Sequence, residues 1–272
     1  MGFIETEGRI NLHYRDWGEG DPVVFVASQA MPCDIWNYNV PFFVERGLRC
    51  VTFDRRGHGR SDVPSGGYDL DTLAGDLAAV LRRLDLRGVT LVGHSLGGAE
   101  VVRYLARYGA EGRVRRAVLV APTAPRLTRA DDYPEGIDPA LAEASADRWR
   151  RDFAGWVAEN KRGFFTPASS DALVDWGARL MESVPLYVLL AVWKGATTAL
   201  DLRDDLRGLD LPVLVLHGAL DQSVPAAFGE AAAGLVRGAK FCRYDDAAHG
   251  IFITHAERFH RDVLGFITST AP

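Results

Sequence analysis

The chain has 272 residues, of which 47% are hydrophobic and 25% charged, and its formal net charge at pH 7 is −5. This length and composition predict a globular protein with a full hydrophobic core and exclude a disordered chain. The acidic balance and the lack of a basic run argue against nucleic acid as a partner. Because no run of about 18 apolar residues occurs, we predict no membrane-spanning helix and no membrane partner.

The cysteines and the first residues bear on the compartment of the protein. Cys33, Cys50 and Cys242 are scattered and odd in number, which indicates thiols in a reducing compartment rather than a disulfide framework. The N-terminal residues are acidic and lack the apolar stretch of a signal peptide. We therefore expect a cytoplasmic protein. Since H-E-x-x-H motifs, acidic calcium loops and cysteine pairs are missing, we expect no metal and no organic cofactor.

The predicted elements begin with two strands, at residues 3–6 and 11–16, joined by a turn at Gly8. Further strands are indicated mainly by short apolar runs. They cover residues 23–27, 49–53, 89–92, 117–121, 212–218 and 240–244. Helical patterns lie between these runs, and strands that alternate with helices predict an α/β protein with an open, mostly parallel sheet and helices on both faces.

Two helices carry specific boundary predictions. A helix that reaches about residue 46 should have Pro41 in its first turn, where the missing N–H costs nothing. Thr254 to Glu257 fits a capping box, which predicts that Thr254 opens the last helix.

The alternation stops between residues 123 and 201, where no strand is predicted. Three helical patterns occur there, at about 138–159, 171–182 and 185–198. We predict a helical cap at residues 123–201 and a core made of residues 1–122 and 202–272, with the cap over the sheet edge where α/β sheets bind ligands. Four tryptophans lie in the cap: Trp149, Trp156, Trp176 and Trp193. Most cap aromatics should pack the cap onto the core, and we expect two or three to line a substrate pocket.

Gly93-His94-Ser95-Leu96-Gly97 fits the pattern G-x-S-x-G between a predicted strand and a predicted helix. Glycine allows a sharp turn, which would expose the Ser95 hydroxyl above the sheet at the positive end of a helix. The alternative, a turn serine in a nucleotide-binding fold, lacks support because neither G-x-x-x-x-G-K-[ST] nor G-x-G-x-x-G is present. We therefore predict that Ser95 is a nucleophile.

A serine nucleophile needs a base and a carboxylate that orients the base. His249 and Asp221 follow the last two predicted strands, so they should reach the same sheet edge as Ser95, and their order along the chain is the expected one. Other histidines compete with His249 for this role. We expect His94 to point elsewhere on the turn, His217 to pack or hydrogen-bond at a strand end, and His255 and His260 to be solvated. His13 and His58 are distant in topology, although the loop that holds His58 could touch the edge of the site. Competing acids are the cluster Asp201, Asp204 and Asp205 and the pair Asp245 and Asp246.

Acyl transfer also requires N–H donors for the oxyanion. The backbone N–H of Leu96, directly after the nucleophile, should supply one donor. The loop after strand 23–27 should supply the other, and counting along it selects Gln29.

Several motifs together resemble the α/β-hydrolase family. They are the loop Asp54-Arg55-Arg56-Gly57-His58-Gly59-Arg60-Ser61-Asp62, Gly67-Tyr68-Asp69, the serine motif through Gly98, His217-Gly218 with Asp221 and Pro225, and Ala247-Ala248-His249-Gly250. The chain is most similar to the serine-dependent branch that includes cofactor-free haloperoxidases (perhydrolases), esterases and small lactonases. The resemblance implies an α/β-hydrolase fold with a helical cap insertion, and Ser95, His249 and Asp221 as nucleophile, general base and orienting acid. Relatives usually carry His-Gly before the oxyanion residue, whereas this chain has Ala27-Ser28.

The leading hypothesis is a serine hydrolase that cleaves a carboxylic ester or lactone of a bulky apolar small molecule through an acyl-enzyme. Perhydrolase or haloperoxidase-like activity, and a hydrolase or cyclase step in a biosynthetic pathway, are alternatives on the same triad. A non-catalytic ligand receptor is the alternative from another class. The sequence makes no prediction of the substrate's identity or of the oligomeric state.

Overall fold

The computed structural model describes residues 1–269, so the predicted core segment 202–272 has its last three residues outside the described part. Eight strands form one sheet. They are β1 (Gly2–Glu5), β2 (Asn11–Trp17), β3 (Pro22–Val26), β4 (Arg49–Phe53), β5 (Val89–His94), β6 (Val114–Val120), β7 (Val213–Gly218) and β8 (Lys240–Tyr244). The order across the sheet is β1-β2-β4-β3-β5-β6-β7-β8. The predicted first strand pair is confirmed, and β1 and β2 are antiparallel additions to a parallel sheet of β3 to β8.

Ten α-helices connect or cover these strands within residues 1–269. They are α1 (Val40–Val44), α2 (Leu70–Arg83), α3 (Leu96–Tyr108), α4 (Pro139–Asn160), α5 (Asp171–Glu182), α6 (Leu186–Val192), α7 (Arg203–Arg207), α8 (Ala226–Leu235), α9 (Ile251–Thr254) and α10 (Ala256–Thr268). None of them combines the length and the apolarity needed to cross a bilayer.

The core lies on both faces of the sheet because side chains alternate along each buried strand. Val24 and Val26 of β3 face a cluster that includes Leu77 of α2 and Val102 of α3. Val23 and Phe25, which alternate with them along the strand, face a second cluster that includes Phe43 of α1 and Phe259 and Val263 of α10. These two layers confirm the predicted α/β sheet with helices on both faces.

Between β6 and β7 the described structure is helical, from α4 to α7, with a 3-10 turn at Lys161–Phe164 and a π-helical turn at Trp193–Thr197. The predicted pattern at 138–159 is interrupted inside α4, where Asp152 leaves helical geometry (φ −162°, ψ 79°). The carboxylate of Asp152 accepts the Gly155 N–H at 2.8 Å and so takes over a backbone donor at this kink. That residues 123–201 act as a cap remains a prediction.

Of the two boundary predictions, the one for Pro41 is confirmed and the one for Thr254 is wrong. The helix before β4 is split into a 3-10 turn at Cys33–Trp36 and the short α1, because Pro41 has no N–H to donate to an earlier turn. It does lie in the first turn of α1, as predicted. Thr254 does not cap the last helix. Its hydroxyl donates back to the Gly250 carbonyl at 3.2 Å, and it ends α9 instead.

Candidate active site

Ser95 lies in a tight turn between β5 and α3. It has φ 55° and ψ −119°, a conformation that residues other than glycine rarely adopt. A Cβ atom on Gly97 would lie 2.5 Å from the Val26 carbonyl oxygen and 2.6 Å from that of Ala27. Glycine at this position therefore lets the start of α3 pass directly under the loop that follows β3, which brings that loop close to Ser95.

Asp221 and His249 are paired, as the sequence predicts. Nδ1 of His249 lies 2.6 Å from Oδ2 of Asp221, and both residues are buried. The other carboxylate oxygen accepts the N–H groups of Ser223 and Val224 at 2.8 and 2.9 Å. Burial by itself raises the pKa of Asp221, but the charge of His249 and these hydrogen bonds outweigh it and hold the pKa well below its usual range. Asp221 is therefore an anion that can orient the imidazole.

The Ser95 hydroxyl has a different partner in this structure. Its Oγ lies 3.3 Å from the hydroxyl of Thr123, and no hydrogen bond to His249 is formed within residues 1–269. The Thr123 N–H also donates to the Ser95 carbonyl at 3.1 Å. Because Nδ1 of His249 is engaged with Asp221, the other ring nitrogen, Nε2, is the one left for proton transfer.

Two other histidines contact the Asp221–His249 pair. His94 is fully buried, and its Nε2 donates to the His249 carbonyl at 3.1 Å. Burial, followed by the neighbouring His249, lowers the pKa of His94, so it stays neutral. His217 donates to the Val224 carbonyl at 2.9 Å and lies 3.3 Å from Asp221. The prediction that His260 is solvated is wrong, because its ring is buried and lies 3.0 Å from Oδ1 of Asn39.

The two predicted oxyanion donors lie at the same edge of the sheet. Leu96 is the first residue of α3, where an N–H has no acceptor within the helix. Gln29 lies in the loop after β3, and its carbonyl accepts a hydrogen bond from Nε2 of His58 at 2.6 Å. This contact joins the His58 loop to the loop after β3. Burial and the nearby Arg55 cation lower the pKa of His58 to about 4, so its ring is neutral at pH 7.

The predicted pocket tryptophans divide into two groups. Trp149, Trp156 and Trp193 pack together, with Trp149 centred 5.4 Å from Trp156 and 4.9 Å from Trp193. Trp193 also lines a cavity of about 330 Å³ between α4 and α6, and Ser95 is not among the residues that line it. Trp176 packs edge-on against Tyr38 at 5.1 Å.

Of two further residues that contact Ser95 or His249, the sequence analysis missed Thr123 and included Phe164 only as one of the cap aromatics. Phe164 packs edge-on against His249, with ring centroids 5.7 Å apart, and its carbonyl accepts the Gly250 N–H at 2.8 Å. Thr123 contacts Ser95 as described above. The available indication for Thr123 is its position just after β6, since Ser95, Asp221 and His249 also follow strands. Nothing in the sequence marks Phe164 among the other aromatic residues of its segment.

One group of side chains in the described residues has the donor types of a metal site. The ligand atoms of His13, Cys33 and Asp54 lie within 4.8 Å of one another. The carboxylate of Asp54 already accepts the N–H groups of Cys33 and Arg60 at 2.8 and 3.1 Å, and His13 lies 3.0 Å from it. Burial, followed by the charge of Asp54, raises the pKa of the Cys33 thiol far above its usual range. With its thiol protonated, Cys33 takes part through its N–H, and the contacts of Asp54 tie β2, β4 and the Cys33 turn together.

The geometry agrees with comparisons to known proteins. The sequence model of the alpha/beta hydrolase fold family matches residues 21–256, and the chain belongs to this family. A non-heme chloroperoxidase of Streptomyces lividans is 37% identical over 99% of this chain and 100% of the relative. A bifunctional esterase/perhydrolase of Acinetobacter calcoaceticus is 33% identical over 99% and 100%. The solved structure of an esterase from Exiguobacterium antarcticum superposes with a TM-score of 0.95 at 28% identity, covering 99% of this chain and 100% of the esterase.

Proposed function

We propose that the protein is a serine hydrolase that cleaves a carboxylic ester or lactone of a small molecule through an acyl-enzyme. The observation that carries this proposal is the position of three groups after the carboxyl ends of β5, β7 and β8. A strained serine stands at the start of a helix, at the same sheet edge as a buried histidine whose Nδ1 is 2.6 Å from an anionic aspartate. Relatives named as an esterase and as an esterase/perhydrolase support the same chemistry.

The reaction begins when Ser95 turns its hydroxyl from Thr123 towards Nε2 of His249. Oγ attacks the substrate carbonyl carbon while Nε2 takes the hydroxyl proton, and the N–H groups of Leu96 and Gln29 bind the developing oxyanion. The carbon–oxygen bond to the leaving alcohol then breaks, and the alcohol takes the proton from His249. Water, deprotonated by the same nitrogen, attacks the acyl-enzyme, which releases the acid and restores Ser95.

The proposed class of substrate rests on the apolar side chains near His249. Phe164 is buried against His249 and contacts Phe165, with ring centroids 5.0 Å apart. Since apolar walls with few polar groups favour apolar ligands, we expect a bulky apolar acyl or alcohol group. Esters of graded acyl length test this point, and ready hydrolysis of short, charged esters alone would contradict it.

Ser95→Ala tests the reaction. Turnover of an activated aryl ester should fall by about six orders of magnitude, because the nucleophile and its proton transfer are both lost. Ser183→Ala, an exposed residue at the end of α5, is the matched control and should keep full activity. A fluorinated aryl phosphonate should label Ser95 in the wild-type protein, as shown by peptide mass. Near-normal turnover by Ser95→Ala would refute the mechanism, and tight ligand binding without labelling or turnover would indicate a receptor instead.

Perhydrolysis is the second candidate, and the names of two relatives favour it. Hydrogen peroxide would replace water in the second step, so that the acyl-enzyme yields a peracid and free Ser95. Peracid formation from acetate and peroxide, absent in Ser95→Ala, would support this activity. A wild-type protein that hydrolyses esters but forms no peracid would exclude it.

A further inference from the structure

Gln29 follows Ala27-Ser28 in the loop after β3, and its side chain is held by the helical segment between β6 and β7. Oε1 of Gln29 accepts a hydrogen bond from the Thr197 hydroxyl at 2.6 Å. Nε2 of Gln29 donates to the Leu189 carbonyl at 3.5 Å. Thr197 is buried and closes the π-helical turn Trp193–Thr197, and such turns inside helices are frequent at functional sites.

The backbone of the same loop is held from the opposite direction. Nη1 of Arg55 donates to the Ser28 carbonyl at 2.9 Å, and Nη2 donates to the Ala27 carbonyl at 2.7 Å. Arg55 is itself fixed by Glu100, whose Oε1 lies 2.5 Å from its Nε, and both side chains are buried. In a planar trans peptide, the carbonyl of Ser28 and the N–H of Gln29 point in opposite directions. Arg55 therefore turns the Gln29 N–H away from itself.

Arg55 fixes the direction of this peptide group, but it does not hold the residue that follows. A glutamine side chain is flexible, and a free amide next to the reacting carbonyl could bend towards the substrate or pull the loop with it. The contact with Thr197 gives the amide a fixed partner and ties Gln29 to the helical segment. Catalytic donors must be held within a fraction of an ångström of their productive position.

Building on the proposed function, we infer that Thr197 is a positioning residue for the oxyanion hole. Its hydroxyl fixes the Gln29 side chain, and through it the Gln29 N–H that binds the oxyanion. Because the oxyanion exists in the transition state and not in the bound substrate, loss of this contact should lower kcat while leaving KM almost unchanged.

The test compares three threonine variants in the full-length protein. Thr197→Val removes the hydroxyl at nearly constant volume and should lower kcat for an aryl ester about tenfold, part of the loss expected when one oxyanion donor is removed. Thr197→Ser keeps the hydroxyl and should restore most of the rate. Thr198→Val is the matched control, since the Thr198 hydroxyl donates to the Trp193 carbonyl within its own turn, and its kinetics should equal those of the wild type. Thermal unfolding of each variant verifies folding.

A double variant separates positioning from a general structural effect. If Thr197 acts through Gln29, then Thr197→Val should cost no further activity in a Gln29→Ala background. The rate of Ser95 phosphonylation should follow the same pattern, because the phosphonate oxygen occupies the oxyanion position. Equal kinetics of Thr197→Val and the wild type, or additive losses in the double variant, would overturn the positioning role. Wild-type protein that resists labelling would instead contradict the proposed function itself.

Discussion

Ser95 holds a backbone conformation that costs a residue with a side chain about 1–3 kcal/mol. Its neighbours supply the compensation. The Ser95 N–H donates to the Val120 carbonyl at 2.9 Å, and its carbonyl accepts the N–H groups of Gly98 and Thr123 at 2.9 and 3.1 Å. Each contact comes from β6, the residues after it or the first turn of α3. The turn is thus fixed by the sheet and the helix together, which places the hydroxyl at the positive end of α3.

Asp221→Asn should lower kcat by about four orders of magnitude, because an amide cannot balance the positive charge on His249 in the transition state and favours the wrong tautomer. Steady-state hydrolysis of an aryl ester measures the loss. Asp245→Asn, an exposed carboxylate paired with Arg243, is the matched control and should keep wild-type kinetics. A loss of less than tenfold in Asp221→Asn would contradict the assignment of Asp221 as the orienting acid.

The positions of the proposed triad residues could be predicted because each one follows a parallel strand, and such positions meet at one sheet edge. The contacts around them could not. Thr197 lies 168 residues from Gln29 in the chain, and no local pattern predicts which hydroxyl of the helical segment reaches it. Phe164 is one of several aromatic residues with similar neighbours, and only the folded arrangement selects it.

At the scale of elements, the predicted bounds of the strands differ from the observed ones by at most three residues, because the apolar runs mostly end at glycine, proline or charged residues. Helix ends were harder to predict. Pro41 lies in the first turn of α1, so it bears only on where that helix begins, and the Thr254 hydroxyl donates to a carbonyl of its own turn instead of capping the next helix. In both cases a local hydrogen-bonding choice, which composition does not reveal, decided the boundary.

Gly97→Ala tests the close approach between α3 and the loop after β3. A methyl group there would meet two backbone carbonyl oxygens at 2.5 and 2.6 Å, and backbone cannot move aside as a side chain can. The free energy of unfolding should fall by about 1–3 kcal/mol, and activity should fall with it because the displaced loop carries Gln29. Chemical denaturation and ester hydrolysis measure the two effects.

Gly265→Ala in α10 is the matched control for this substitution. No atom lies within 4 Å of a Cβ atom at this position, and alanine favours a helix over glycine by about 1 kcal/mol. Gly265→Ala should therefore be as stable as the wild type or more stable, with unchanged activity. Equal stability of the two alanine variants would show that α3 and the loop can separate without cost.

At the scale of the whole molecule, buried histidines couple folding to pH. Burial, together with the nearby Arg55, lowers the pKa of His58 to about 4, and burial with the nearby Arg46 does the same for His260. The unfolded chain binds these protons near pH 6.5, the ordinary value. Between about pH 6.5 and pH 4 the unfolded state therefore holds more protons than the folded state, and the free energy of unfolding should decrease as the pH falls. The anionic Asp221 has a depressed pKa, so its own contribution is lost only below about pH 4.

His260→Gln should make this dependence on pH shallower by up to one proton, because glutamine keeps a donor for Oδ1 of Asn39 but does not titrate. His260 lies at the packing of α10 against α1, on the sheet face opposite α3, so ester hydrolysis at pH 7 should not change. Urea denaturation at several pH values between 4 and 7 gives the two slopes. Identical slopes for His260→Gln and the wild type would show that His260 is protonated in the folded protein as readily as in the unfolded chain, and the acid sensitivity would then have to arise from other groups.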